Sequence, residues 1–194
     1  MTIENARPED APLIADAILG AVGDEIVGHL AGTEHTREDV HGIFRRLAER
    51  EDTQYSYLNS RIARDDAGDP MGVCVSYDGA ALKRLRRAFF AEANEVLKWG
   101  MTAEEIEALP GETIPEEFYL DSLMTLPEYR GRGVGWALIE DAALKAKKAG
   151  KPLGLLCETD NRQARRLYDS VGFRPVGRRP FAGHEMDHLQ LPTD

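Results

Sequence analysis

Residues 123–136 read Leu123-Met124-Thr125-Leu126-Pro127-Glu128-Tyr129-Arg130-Gly131-Arg132-Gly133-Val134-Gly135-Trp136. This segment joins a strand-like run to a helix-like run through a turn in which glycine alternates with other residues. The first amide groups of a helix lack intrahelical acceptors and carry partial positive charge from the helix dipole. Glycines at alternate positions let a phosphate approach these amides, and Arg130 and Arg132 add positive charge. The segment therefore predicts a site that binds a diphosphate mainly through its backbone.

Two other phosphate-binding motifs fit this segment less well. A nucleotide triphosphatase loop requires Gly-Lys-Ser/Thr after the turn, whereas the chain has Gly135-Trp136-Ala137. A dinucleotide fingerprint has the spacing GxGxxG and lies in the first β-α-β unit, whereas GxGxG occurs here after residue 120. The third alternative is a tight turn whose glycines serve only packing. The flanking arginines and the position between strand and helix favour phosphate binding.

Periodicity and turn residues predict a mixed α+β chain forming one domain, residues 1–194. Predicted strands cover residues 3–7, 55–64, 71–77, 118–125, 153–158, 173–176 and 184–191. Predicted helices cover a segment from Pro8 to about residue 21, then 36–47, 80–109 with a break at Gly100, 134–149 and 161–171. Strand 118–125, helix 134–149 and strand 153–158 would form a parallel β-α-β unit.

Composition and charge narrow the classes of function. The net charge of −10 argues against general binding to nucleic acid or to an anionic membrane. Residues 129–180 nevertheless carry 12 Lys/Arg against 5 Asp/Glu, which indicates a local polyanionic ligand. Cys74 and Cys157 lie singly in apolar stretches, so buried free thiols and a cytoplasmic location are expected. The histidines show no metal-ligand spacing, so no metal is expected.

Two motifs together resemble the GNAT superfamily of acetyl-CoA-dependent N-acetyltransferases. Residues 130–135 match its Arg/Gln-x-x-Gly-x-Gly/Ala signature. Residues 161–173 match its second motif through Asn161, Ala164, Leu167, Tyr168, Gly172 and Phe173. The resemblance implies a GNAT-like three-layer α/β fold with helices on both faces of a mostly antiparallel sheet. That sheet would be splayed between its fourth and fifth strands, with acyl-CoA in the opening.

The resemblance also implies which residues bind acetyl-CoA as a co-substrate. Backbone groups at the end of strand 118–125 would align the pantetheine arm, the glycine-rich turn would take the pyrophosphate, and the second motif would lie near the thioester. The implied residues are Leu123, Met124, Thr125, Arg130, Gly131, Arg132, Gly133, Val134, Gly135, Trp136, Asn161, Ala164 and Tyr168.

Two residues are candidates for proton transfer. Tyr168 follows Asn161 by seven residues and shares its helix face, and tyrosine at this position in related enzymes is thought to protonate the CoA sulfur. Asp121 is the candidate base, on a strand face that alternation would assign to Tyr119, Asp121, Leu123 and Thr125. Glutamates used by other family members are replaced here by Tyr119 and Leu156. Glu117, His184 or a chain of water molecules are the alternatives.

The acceptor is expected to be a primary amine of a small molecule or a peptide. Acidic residues are frequent in the segments that line the acceptor pocket in this fold, and they would attract a cation. The long helical stretch 80–109 would cap that pocket or form a homodimer surface, through Leu82, Leu85, Phe89 and Phe90. Two functional alternatives stay open, a CoA-binding sensor without transfer activity and an acyltransferase that uses another short acyl-CoA.

Overall fold

The computed structural model describes residues 1–193, which fold around one seven-stranded sheet. The helices are α1 (Ala11–Ala31), α2 (Arg37–Ala48), α3 (Leu82–Leu85), α4 (Arg87–Val96), α5 (Ala103–Ala108), α6 (Val134–Lys148) and α7 (Arg162–Val171). The strands are β1 (Thr2–Asn5), β2 (Ser60–Arg64), β3 (Pro70–Asp78), β4 (Phe118–Thr125), β5 (Leu153–Glu158), β6 (Arg174–Phe181) and β7 (His184–Leu191). They lie in the order β1-β2-β3-β4-β5-β7-β6.

The sheet opens in its middle, between β4 and β5. These two strands are parallel and pair only through Phe118 with Leu153 and Tyr119 with Gly154. All other neighbouring strands are antiparallel. The predicted β-α-β unit and the predicted splay between the fourth and fifth strands are therefore confirmed.

Helices cover both faces of the sheet, as predicted. On one face, α1, α2 and α4 pack with residues of β2 and β3 around Phe44. On the other face, α6 packs against β4, β5 and β7 around Leu138 and Leu155. Among residues 1–193, none of the helices combines the length and apolar character needed to cross a bilayer.

The second strand begins later than predicted, at Ser60 rather than at residue 55. Residues 53–59 are held in turns by hydrogen bonds from polar side chains to the backbone. Asn59 Nδ2 donates to the carbonyl oxygens of Thr53 and Gln54 at 2.9 and 3.1 Å, and Thr53 Oγ1 donates to Leu47 O. These local bonds compete successfully with strand formation.

The sixth strand is longer than predicted and continues to Phe181 despite its two prolines. It lies at the edge of the sheet, where proline is tolerated because one side of the strand needs no donors. Its pairing with β7 shifts register between Pro175 and Gly177.

The stretch 80–109 forms three short helices, and the predicted break at Gly100 falls between α4 and α5. Leu82 and Leu85 are buried, and Phe89 and Phe90 face a cleft beneath α1. Of the side chains that suggested a dimer surface, Leu82 and Leu85 therefore lie inside the monomer, and Phe89 and Phe90 are half-buried in its cleft. Homodimer formation remains a prediction.

Candidate active site

The glycine-rich turn has the backbone that a phosphate site needs. Gly131 and Gly133 have φ of 74° and 79°, in the left-handed region that favours glycine. Gly133 is the residue that precedes the first turn of α6, so the free amides of that turn lie directly beyond it. A Cβ at either glycine would meet no atom within 4 Å, so backbone conformation and not crowding explains the residue type.

The two arginines of the turn are exposed beside it. Arg130 Nε donates to Thr125 O at 3.4 Å, which links the turn to the end of β4. The Arg132 guanidinium lies over the Tyr129 ring, 5.4 Å from its centre. Trp136, in the first turn of α6, is 38% exposed. These contacts place positive charge at the rim without closing it.

One edge of β4 is left open immediately before the turn. Leu123, Met124 and Thr125 pair with β3 on one side. On the other side β5 has already diverged, because its pairing with β4 ends at Tyr119. The backbone of these three residues therefore borders the opening in the sheet, where an extended ligand could add as a strand.

The second motif forms α7, which lies beside the opening. Asn161 caps this helix, with its Oδ1 accepting a hydrogen bond from the Ala164 amide at 3.0 Å. Its side chain thus has a structural role at the helix start. Whether it also contacts a ligand stays a prediction.

Tyr168 is held between the helix and the sheet. Its ring packs on Phe173 with centres 5.6 Å apart. Burial raises the pKa of Tyr168 above its ordinary value, and the nearby Cys157 and Cys74 add to this. The phenol is therefore protonated at neutral pH, as a general acid must be.

Cys74 and Cys157 are both buried and unpaired, as predicted. Burial raises the pKa of Cys74 to about 12 and that of Cys157 to about 11. At neutral pH both are thiols, which are poor nucleophiles.

A bulge in β4 changes the faces that simple alternation predicts. Val75 pairs with Ser122 and Ser76 with Leu120, so Asp121 is an extra residue without a partner on β3. Beyond the bulge the strand is shifted, and Leu123 packs in the same cluster as Leu120, on the α6 side. The prediction that Leu123 shares a face with Asp121 is therefore wrong.

Asp121 and Glu112 are two carboxyl groups joined by one phenol. The Tyr77 hydroxyl lies 3.0 Å from Asp121 Oδ2 and 3.2 Å from Glu112 Oε1. Burial raises the pKa of Asp121 to about 7, and the charge of Glu112 contributes. Burial also raises the pKa of Glu112. A phenol has one hydrogen, so it can donate to only one of these groups at a time.

The alternative bases have other surroundings. Glu117 is fully buried, and its carboxylate contacts His188 Nε2 at 2.7 Å, Gln190 Nε2 at 2.8 Å and Thr113 Oγ1 at 2.7 Å. Burial raises the pKa of Glu117, but these hydrogen bonds outweigh that effect and leave it below its usual value. His184 lies at the start of β7, 3.9 Å from Glu25. Glu117 is thus engaged in cross-strand contacts.

Sequence reasoning missed Glu112 and Tyr77. Glu112 lies in the loop between α5 and β4, where no periodicity marks it, and Tyr77 has the pattern of an ordinary strand residue. Only the fold brings them next to Asp121. Within residues 1–193, no cluster of three or more His, Cys, Asp and Glu side chains could hold a metal ion.

Comparisons with known proteins match the segment that contains the glycine-rich turn and α7, and also the fold of nearly the whole chain. A family model described as an acetyltransferase (GNAT) domain matches residues 85–175. A 70-residue segment, 36% of this chain, is 40% identical to an uncharacterized protein of Mycobacterium leprae (strain TN). The chain spans only 19% of that relative's length.

Solved structures match almost the entire chain. One acetyltransferase is 28% identical, with a TM-score of 0.72 and coverage of 98% of each chain. An N-acetyltransferase from Staphylococcus aureus Mu50 is 23% identical, with a TM-score of 0.80, over 98% of this chain and 100% of that one. A Salmonella typhimurium protein solved with its cofactor acetyl-CoA is 16% identical, with a TM-score of 0.53, over 100% and 94% of the two chains.

Proposed function

This chain belongs to the GNAT superfamily of acetyltransferases, and on that premise we propose that it transfers an acetyl group from acetyl-CoA to a primary amine. The observation that carries the proposal is the left-handed pair Gly131 and Gly133 at the start of α6, next to the open edge of β4. A diphosphate on the free amides and an extended arm along β4 is the arrangement that CoA requires.

The proposed binding residues are those that border this opening. The pyrophosphate would be held by the backbone of residues 130–136 with Arg130 and Arg132, and the pantetheine arm by the backbone of Leu123, Met124 and Thr125. Ala164 and Tyr168 of α7 would lie near the thioester. The open backbone edge and the exposed turn fit such a ligand without rearrangement of the strand.

We propose direct attack of the amine within a ternary complex. Both cysteines are buried with raised pKa values, so neither suits a covalent acyl-enzyme. An amine with a pKa of about 10.4 enters mostly as ammonium and must lose a proton to react. Asp121 takes that proton, because a carboxyl group with a pKa of about 7 is partly ionised at neutral pH and can still hold the proton.

The transfer forms one bond to the acetyl carbon and breaks another. The amine nitrogen forms a bond to the thioester carbonyl carbon, and the carbon–sulfur bond breaks. The sulfur leaves as a thiolate and takes a proton from Tyr168. As the amide forms, its nitrogen loses a second proton, and this proton restores the Tyr168 phenol. The products are the N-acetyl amine, CoA thiol and the proton on Asp121, which is released to solvent.

Binding and turnover test this proposal separately. We expect calorimetric titration of acetyl-CoA to give a saturable heat, and a panel of amines to give CoA release. No heat and no thermal shift at millimolar acetyl-CoA would refute the proposal. Binding without turnover of any amine would favour the CoA-binding sensor. Faster turnover with propionyl-CoA or succinyl-CoA than with acetyl-CoA would identify that acyl-CoA as the donor.

A further inference from the structure

A cleft runs under α1 from the surface to Glu112. Its inner cavity has a volume of about 280 Å³, and the outer cavity has a volume of about 720 Å³. The two cavities share the side chains of Ile26, Leu30, Phe90, Trp99 and Leu109. Gly23, with φ of 80°, bends α1 so that its second half forms one wall. The size suits a small molecule, since ligand pockets usually begin near 300 Å³.

Aromatic rings form the walls of the inner cavity. Phe89 is the centre of this group and lies 5.7 Å from Phe44, 6.0 Å from Tyr55 and 5.9 Å from Trp99, measured between ring centres. Such mutually packed rings are rigid and present apolar surface and ring faces to a ligand. They give few hydrogen bonds, so a sugar-like ligand would lose hydration there without replacement.

Two side chains at the inner end, Gln54 and Glu112, can still accept hydrogen bonds from a ligand. Gln54 is 3% exposed, and its Oε1 is buried without a hydrogen-bond partner. Glu112 lines the same cavity, and its carboxylate contacts the Tyr77 hydroxyl, with no cation within ion-pair distance among residues 1–193. A buried amide oxygen without a donor is unfavourable, and a carboxylate beside apolar rings favours a ligand that carries donors and positive charge.

The nearby arginines, Arg86 and Arg179, donate to backbone carbonyl oxygens and form no ion pair with Glu112. Arg86 lines the cavity, but its guanidinium donates to the carbonyl oxygens of Ile106, Leu109 and Pro110, at 2.7 to 3.3 Å. Arg179 Nη2 donates to the carbonyl oxygens of Gly111 and Thr113, whereas its Nε is buried without a hydrogen-bond partner in the described part of the chain. These bonds hold the loop that carries Glu112 and leave its carboxylate for a ligand.

We infer that the acceptor is a small primary amine attached to an aromatic or other apolar group. The apolar group lies against the rings of Phe44, Phe89 and Trp99 that line the inner cavity, and the ammonium group donates to Glu112 and Gln54. Because the Tyr77 hydroxyl contacts both Glu112 and Asp121, the ammonium is held beside the base that takes its proton. This assignment rests on the proposed function and names its substrate class.

The test compares acceptors and one pair of variants. The test measures kcat/KM with acetyl-CoA for two sets of amines. The apolar set is phenethylamine, tryptamine and hexylamine, and the polar set is spermidine, kanamycin and a tetrapeptide with a free amino terminus. We expect the apolar amines to be preferred at least tenfold. Glu112→Gln should raise KM for phenethylamine at least tenfold and leave the Kd of acetyl-CoA unchanged. Glu116→Gln, an exposed residue of the same loop, is the matched control and should behave like wild type.

The outcomes separate this inference from the proposed function. If spermidine, kanamycin or the peptide is turned over best, the inference is overturned and the transferase proposal stands. The same conclusion follows if Glu112→Gln and Glu116→Gln have the same KM for phenethylamine. If acetyl-CoA binds but no amine turns over, the transferase proposal falls, and calorimetry with phenethylamine alone decides the site. Binding lost in Glu112→Gln would then support the cavity assignment, and no binding to wild type would overturn it.

Discussion

Tyr168 and Asp121 need opposite protonation states in the proposed mechanism, whereas burial favours the protonated form of both. It keeps the phenol of Tyr168 protonated, and it raises the pKa of Asp121 to a value at which proton uptake and release are both easy. The same desolvation thus makes Asp121 a stronger base and Tyr168 a weaker acid than the free side chains. The family motif suggested the role of Tyr168 and strand alternation that of Asp121, but the environment that shifts their pKa values is visible only in the fold.

Replacing Tyr168 by Phe removes the proposed proton donor while keeping the ring that packs on Phe173. We expect kcat to fall about 100-fold, at the low end of the range for general acid catalysis. The Kd of acetyl-CoA, measured by calorimetry, should stay within twofold of wild type. An unchanged kcat would remove Tyr168 from the mechanism.

The pH dependence of kcat/KM reports Asp121 directly. The base must be ionised, and its pKa is about 7, so activity should rise with pH through 7 and be about tenfold below its plateau at pH 6. Asp121→Asn should have low activity and lose this rise. A profile that stays unchanged in Asp121→Asn would assign the base elsewhere.

Asp121 also affects stability, in the opposite direction. Its pKa in the folded protein lies above the ordinary value of 3.8, so the folded state binds the proton more tightly than the unfolded chain does. Stability is therefore lost as pH rises from about 4 to 7. Asp121→Asn should raise Tm, with a larger gain at pH 8 than at pH 5 in a thermal melt. A lower Tm at pH 8 would contradict this.

At the scale of elements, the sequence predicted the strands that flank the opening to the residue. The bounds of β4 and β5 match, since each segment is rich in large apolar residues and is preceded and followed by proline, glycine or Asp-Asn turn signals. The bulge at Asp121 was not predictable, because it depends on the pairing partner in β3. Nor could the turn at 53–59 be predicted, since its side-chain hydrogen bonds require partners up to six residues away.

The glycine turn can be tested with a control at the other end of the same helix. Gly133→Ala forces alanine into left-handed backbone, which costs about 1–2 kcal/mol and reshapes the turn. Gly150, just beyond α6, has φ of 67° and equally open surroundings. Gly150→Ala therefore introduces similar backbone strain far from the glycine-rich turn. Both variants should lose stability in urea unfolding, but only Gly133→Ala should weaken acetyl-CoA binding, by at least tenfold. Equal affinities would disprove binding at the turn.

At the scale of the whole molecule, a sheet that opens in its middle needs contacts across the opening. Glu117 precedes β4 and reaches over β5 to His188 and Gln190 of β7. It passes directly over Gly154, where a Cβ would overlap the Glu117 carboxylate. A glycine within an otherwise apolar strand is the signal from which close backbone approach could have been inferred.

Gly154→Ala should therefore destabilise the protein strongly. The methyl group displaces the Glu117 carboxylate and leaves His188 and Gln190 unpaired, which we expect to cost about 3–5 kcal/mol. Urea unfolding measures this change. Gly20→Ala, in the middle of α1 with open space around it, is the control and should change stability by no more than about 1 kcal/mol in the favourable direction. A Gly154→Ala variant as stable as wild type would show that Glu117 has another arrangement.

Because its two thiols are inaccessible, the protein should contribute little signal to an assay that detects free thiols. Cys74 and Cys157 are 1% and 4% exposed, and thiols with such raised pKa values react slowly with disulfide dyes. A colorimetric disulfide reagent added to a reaction would then report the CoA thiol that the reaction releases and not the cysteines of the protein. Slow labelling of the protein itself, in the absence of substrate, would record how often the native structure opens.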